Sequence, residues 1–260
     1  MKYTAVIIEP RIHNALKFVL ENFLTNLDLD WSFIIFYGTE NKEFLFNIIK
    51  DNFLEFKNRI RLINLNINNL IIKDYNNLLF DKEFYKFIPT KYFLIFQTDS
   101  LIRKNFKHYI NFFLQYDYVG APWPDPDKVF GFNDCNNVGN GGLSLRNKDK
   151  MLEIINKHYN KSFKYNEDYF FCKKRNDIEL NLPTINEATS FSIEHIYNDE
   201  SFGVHKPWNY LSNENYDKLI KISPEVYHLD LLNKEYNKTH VKKTHVKKIG
   251  NIEFIEENLI

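Results

Sequence analysis

The sequence is short of the residues that mark several protein classes. Only two cysteines, Cys135 and Cys172, occur in 260 residues. That is too few for a disulfide scaffold, and neither sits in a CxxC or Cys/His spacing suited to zinc. No stretch approaches the roughly 18 uninterrupted apolar residues of a membrane helix. The opening MKYTAVIIEPR meets Glu9, Pro10 and Arg11 after a short apolar run, unlike a signal or anchor segment. No membrane span is expected, and a reducing, cytoplasmic setting is. An excess of one charge is also missing, with 34 Lys+Arg against 34 Asp+Glu and a pI near 7.1. A nucleic-acid partner needs a basic face to displace phosphate counterions, so none is expected.

What the chain does hold is apolar and aromatic surface. With 24 Phe and 16 Tyr it can offset the conformational entropy lost on folding. Short β-rich apolar runs at 5–8, 31–37, 60–65 and 92–96 alternate with helical spacing at 14–24 and 43–53. Leu16, Val19, Leu20 and Phe23 make one helical stripe, and the alternation predicts an α/β layer fold. Residues 66–91 are ambiguous, since their aromatic spacing suits helix and their asparagines suit loop. Pro, Gly and Asn crowd into 120–142, which predicts an extended loop framed by short strands, a common place for a site. A strand at 143–146 and helices at 148–159 and 168–174 follow. Beyond about 212 the chain is polar and weakly patterned. THVKK occurs twice in tandem at 239–248, a local duplication or a solvated basic tail, too short for a solenoid.

Four blocks carry residues suited to chemistry. In YFLIFQTDSLI, 92–102, a buried strand delivers Gln97, Thr98, Asp99 and Ser100 at its carboxyl end, where open α/β sheets bind ligands. Asp99 is open to two readings, a cap on a following turn or a ligand to a hard divalent cation. In DYVGAPW and VGNGGLSLR, residues such as Trp123, Asn140, Gly141 and Gly142 mark a turn or a close backbone approach. The run matches neither the GxxxxGK[ST] nor the GxGxxG phosphate loop. In KYNEDYFFCKK, Asn166 is placed to cap a helix whose first turn holds Glu167 and Asp168. Those carboxylates either offset the helix dipole or supply a general base. In FGVHKPW, His205 and Lys206 stand together, as structural residues or as a cation ligand and a phosphate partner.

Taken in order, IIEPR, FQTDSLI, DYVGAPW with VGNGGLSLR, NEDYFF, FSIE and FGVHKPW resemble the glycosyltransferase-like family DUF5672, whose members look like nucleotide-diphospho-sugar transferases of the GT-A fold. The blocks span about residues 3–210. The resemblance implies a Rossmann-like, mixed but mostly parallel sheet flanked by helices, with a loop-rich C-terminal half. It implies one catalytic domain over 1–211, with a nucleotide-binding half to about 102 and an acceptor and metal half from 103, then an extension or tail over 212–260. QTDSLI is similar to the strand-end DxD pattern, with Gln97 where the first Asp would stand. One carboxylate, Asp99, is thus implied to hold Mn2+ or Mg2+, with His205 closing the metal site and Lys206 near the diphosphate. Asp168 is implied as the base of an inverting reaction, with Glu167 as the neighbouring candidate. Glu9, Arg11, Gln97, Thr98 and Ser100 would face the donor, and Trp123, Asn140, Gly141 and Gly142 would line the sugar and acceptor cleft. The partners implied are a nucleotide-sugar donor, foremost a UDP-sugar, and a glycan or glycosylated acceptor.

Two other readings compete. A nucleotidyltransferase would share the sheet, but its glycine-rich basic loop after the first strand is replaced here by EPRIHNALK. A non-catalytic carbohydrate-binding module is suggested by Gln97 and the aromatic excess, although Phe more often builds core than stacks on sugars.

Overall fold

The computed structural model describes residues 1–124, 135–240 and 252–257. Residues 241–248 of the THVKK duplication and 125–134 of the 120–142 loop lie outside the described residues. Four parallel strands form the centre of the fold: β1 (Tyr3–Glu9), β2 (Trp31–Tyr37), β3 (Ile60–Asn64) and β4 (Tyr92–Phe96). All seven residues of β2 are buried, as expected of a strand covered on both faces. Three more strands complete the sheet: β6 (Tyr118–Gly120), β7 (Leu143–Asn147) and β10 (Ile255–Glu257). The order is β10-β3-β2-β1-β4-β7-β6, with β7 antiparallel to β4 and β10 antiparallel to β3. The mixed, mostly parallel sheet expected from the sequence is therefore observed.

Strand alternation splits the core into two layers. Ala5, Ile7, Phe33, Ile35, Leu94 and Phe96 face the helices α1 (Leu16–Asn26) and α2 (Lys42–Asn52). On that side Phe23 stacks on Phe96 at 3.9 Å. Val6, Ile8, Ile34, Phe36, Phe93 and Ile95 face the other way. They meet α3 (Ile72–Phe80), α4 (Lys82–Lys86) and a helix at Lys148–His158. The ambiguous stretch 66–91 thus holds two helices, since Leu78, Leu79, Phe80 and Phe84 bury on this layer and tertiary packing outweighs the local asparagines.

A second sheet, of three strands, sits beside the first. It comprises β5 (Ser100–Ile102), β9 (Gly203–His205) and β8 (Ser192–Ile193) in the order β5-β9-β8. Residues 213–240, weakly patterned in sequence, form helices Asn213–Ile222 and Glu225–His240. A sparse set of apolar residues, Leu219, Val226 and Leu229, buries into the first core layer. From the longer helix, Asn233 Nδ2 donates to the Thr98 carbonyl at 3.0 Å and Tyr236 stacks on His13 at 3.9 Å. Among the described residues no helix is long and apolar enough to cross a membrane.

Asn41 joins the ends of the first two strands. Its Oδ1 accepts from Gly38 N at 2.8 Å, and its Nδ2 donates to the carbonyls of Glu9 at 2.8 Å and Arg11 at 2.9 Å. Asn41 is fully buried, so truncation leaves these groups unsatisfied, at about 1–3 kcal/mol each before relaxation. Asn41→Ala is expected to lose about 2–4 kcal/mol in urea denaturation. A loss under about 0.5 kcal/mol would show that the strand ends hold without it.

Candidate functional site

The carboxyl ends of β1 and β4 open into a cavity of about 340 Å3, within the size range of small-molecule sites. The antiparallel β7 brings its amino end to the same edge, because Leu143 pairs with Phe96. Glu9, Arg11, Gln97, Thr98, Asp99, Asn140, Gly141, Gly142, Glu167, Asp168, His205 and Lys206 all line the cavity. Two of the residues singled out from sequence do not. Trp123 is buried in the second core layer. Ser100 is fully buried, and its hydroxyl donates to the Gly142 carbonyl at 2.9 Å and accepts from Gln97 N at 3.2 Å. It shapes the turn without reaching the opening.

Asp99 caps no helix. The chain turns at 97–100, where Ser100 N donates to the Gln97 carbonyl at 3.0 Å, and enters β5. Antiparallel pairing sets Ser100 opposite His205, which brings Asp99 Oδ1 to 3.2 Å from His205 Nε2. Parallel pairing of Ile193 with Val204 places the next residue, Glu194, beside His205 with Oε1 3.0 Å from Nδ1. The adjoining strand ends thus present carboxylate, imidazole and carboxylate in a row. These close approaches lack the alignment of hydrogen bonds, leaving Asp99 Oδ1, Glu194 Oε1 and both His205 nitrogens buried without a hydrogen-bond partner. Burial pushes the Asp99 carboxyl up, but His205 and Lys206 outweigh it and hold it at about 2. Burial pushes His205 down, and its two flanking carboxylates more than reverse this, lifting it to about 9.

The same pair fits a hard divalent cation. Ligands about 2.1 Å from Mg2+ in adjacent octahedral positions lie roughly 3 Å apart, close to the observed separation. Among the described residues no group of three or more His, Cys, Asp or Glu forms a complete cage. Asp99 and His205 would therefore supply two positions, one oxygen and one nitrogen, leaving the others to ligands from outside the protein. Lys206 follows at φ 34, a left-handed conformation that costs a non-glycine residue about 1–2 kcal/mol. Such strain is commonly held at functional sites.

Across the cavity, Glu167 and Asp168 open the short helix Glu167–Cys172. They are adjacent carboxylates in different surroundings. Both oxygens of Glu167 accept from the fully buried Arg146, Nη1 to Oε2 at 2.6 Å and Nη2 to Oε1 at 2.9 Å. Asp168 Oδ1 accepts from Tyr169 N at 2.8 Å. Burial and the Glu167 charge push Asp168 up to about 7, against the backbone N–H groups of Tyr169 and Gly141 and the charge of Arg146. Asn166 precedes the helix but makes no side-chain cap. Its Oδ1 accepts instead from Asn76 Nδ2 at 3.2 Å, while Asn76 Oδ1 accepts from Glu167 N at 3.2 Å. At the end of β1, Glu9 accepts from Arg11 Nε and Nη2, both at 2.7 Å, and Arg11 is raised well above its ordinary range by Glu9 despite burial.

Sequence reasoning missed Arg146, Glu194 and Tyr75. Tyr75 lines the cavity together with Gln97. Arg146 and Glu194 stood inside recognised blocks, yet their partners are set by tertiary contacts that no local spacing reveals. A basic residue on a strand otherwise fully buried, LSLRN, was the one available signal for Arg146.

The family model described as "Protein of unknown function (DUF5672)" matches residues 59–205. No curated protein matches the sequence. Among solved structures, the chain is similar to the apo-form glycosyltransferase GlyE of Streptococcus pneumoniae, at 11% identity and TM-score 0.48, over 92% of this chain and 64% of that one. It is similar to S. aureus TarS in complex with UDP, at 12% identity and TM-score 0.45, over 95% and 76% of the two chains. It is also similar to the mannosyltransferase PcManGT from Pyrobaculum calidifontis in complex with GDP-Man and Mn2+, at 9% identity and TM-score 0.45, over 64% and 50%.

Gly142 generates a direct test of this geometry. A Cβ there would sit 2.1 Å from His205 Nε2 and 2.2 Å from Cε1, and the ring is 1% exposed, so it must move off Asp99. Gly142→Ala is expected to lose about 1–3 kcal/mol by overpacking, with altered His205 imidazole resonances. Unchanged resonances and stability would mean that the glycine is not required for space.

Proposed function

The chain belongs to the DUF5672 family, and from that premise we propose that it is a glycosyltransferase, moving a sugar from a nucleotide-diphosphate donor to an acceptor hydroxyl. The observation that carries the reading is the meeting of Asp99 and His205, distant in sequence, at 3.2 Å in one cavity with Asp168 and Lys206. A cation ligand pair, a phosphate partner and a carboxyl poised near neutrality are what departure of a diphosphate and attack by a hydroxyl require.

In this reading Arg11 and Gln97 orient the donor, and Lys206 neutralises charge on the departing diphosphate. Asp99 and His205 would hold Mn2+ or Mg2+, which would supply Lewis-acid stabilisation of the same oxygens. Asp168 takes the hydroxyl proton as the acceptor oxygen bonds to the anomeric carbon and the carbon–oxygen bond to diphosphate breaks. A single displacement of this kind inverts the anomeric centre. Glu167, committed to Arg146, is assigned to positioning Asp168 and to raising its pKa. Gly141 leaves the room this requires, since a Cβ there would lie 2.4 Å from Glu167 Oε1 and 3.2 Å from Asp168 Cβ. The residues given roles here all lie within 1–211, the stretch assigned to catalysis, and the helices over 213–240 and β10 pack on that same core and sheet as its extension.

Incubation with a panel of nucleotide sugars, UDP-sugars first, with and without Mn2+, should release nucleoside diphosphate from at least one. Asp99→Ala should abolish that release while the fold persists by circular dichroism. Normal turnover by the variant would remove Asp99 from the mechanism.

The pH dependence follows from Asp168. With its pKa near 7 in the folded protein, kcat/KM should rise through a limb near pH 7 and level off above it. The folded chain holds this proton more tightly than the unfolded one, so this group's contribution to stability is complete below about pH 4 and is lost as pH rises to about 7. Asp168→Asn should retain donor binding by calorimetry and lose transfer. Equal loss of both would point to a structural role.

A further inference from the structure

We propose that Glu194 is the positioning residue that holds the His205 ring with Nε2 turned to Asp99 and the cavity. The inference rests on the proposed function only where it concerns cation affinity.

Glu194 follows β8, is 1% exposed and is not among the residues that line the cavity. Oε1 approaches His205 Nδ1 at 3.0 Å, while Oε2 meets His195 Nδ1 at 3.1 Å. His195 is itself fixed, its ring stacked on Tyr210 at 3.9 Å. Removing a carboxylate from water costs several kcal/mol, and nothing in the proposed transfer uses this one directly. Its partners are the two imidazoles.

For Nε2 to serve as a ligand the ring must shed one of its two protons, and the Glu194 charge 3.0 Å from Nδ1 favours keeping the other one there. Nε2 is then left as the acceptor that a cation needs. Sterics act in the same sense, because the Gly142 backbone lies so close to Nε2 and Cε1 that no Cβ fits between them. Glu194 behind the ring and Gly142 against it leave His205 one position, which the β8–β9 register fixes from the sequence upward.

The test uses the full chain and two readouts. Long-range 1H–15N correlation of the metal-free protein reports the protonation and environment of both His205 ring nitrogens. Calorimetric titration with Mn2+ in the presence of uridine diphosphate reports affinity. Glu194→Gln keeps the shape and removes the charge, so the His205 nitrogen shifts should change and Mn2+ affinity should fall about 10- to 100-fold. Should that variant fail to fold, His195→Phe keeps the stack on Tyr210 and frees one Glu194 oxygen, and the same changes should follow in smaller degree. His205 shifts identical to wild type in the folded variants, or equal Mn2+ affinity, would overturn the proposal. If the wild-type chain binds no Mn2+, the cation reading fails, and the ring spectrum still decides the role of Glu194.

Discussion

The register of a three-stranded sheet governs the charged half of the site. Ser100 pairs with His205 on one side of β9, and Ser192 and Ile193 pair with Gly203 and Val204 on the other. Those pairings leave Asp99, His205 and Glu194 at neighbouring strand ends. A slip of one residue in either ladder would turn a charged side chain to the opposite face, leaving a carboxylate or an imidazole buried without its counter-charge. Charge pairing and strand pairing therefore select the same register. Buried ion pairs often contribute little net stability, but here their alternatives are costly.

A second principle organises the opposite wall. Glu167 and Asp168 are adjacent in sequence, yet one carboxylate is taken by Arg146 while the other faces the cavity with a pKa near neutrality. Environments that push two like groups apart are how acid and base roles become distinct. The helix dipole gives no such distinction, since both stand in the first turn of the same helix. The difference comes from a buried guanidinium on β7, a strand of the main sheet.

Much of the architecture was legible in the sequence because the central strands are buried on both faces. Residues 31–37 and 92–96 are continuous apolar runs, and β2 and β4 have those bounds. The helices at 72–86 were obscured by asparagines whose cost is met by Leu78, Leu79 and Phe84 in the core. The two C-terminal helices were obscured for a related reason, as each anchors through few apolar residues on a polar background. In the site, residues that stand at strand ends or beside glycines could be found locally. Glu194 and Arg146 could not, because a buried charge is recognisable only through its partner, and those partners, His205 and Glu167, lie on other elements.

The C-terminal extension links these levels. The helix at Glu225–His240 donates from Asn233 to the Thr98 carbonyl, inside the turn that presents Asp99, and stacks Tyr236 on His13 next to the Glu9–Arg11 pair. Arg11 itself lies over the Tyr236 ring at 5.4 Å. One helix thus contacts the carboxyl ends of both β1 and β4, on which the cavity is built. Strand ends are where a sheet stops supplying hydrogen bonds, and a turn there keeps one geometry only if other groups satisfy its backbone. Asn233 does this for 97–100 and Asn41 does it for 9–11, so the preorganisation of the cavity rests on two buried amides as much as on its charges.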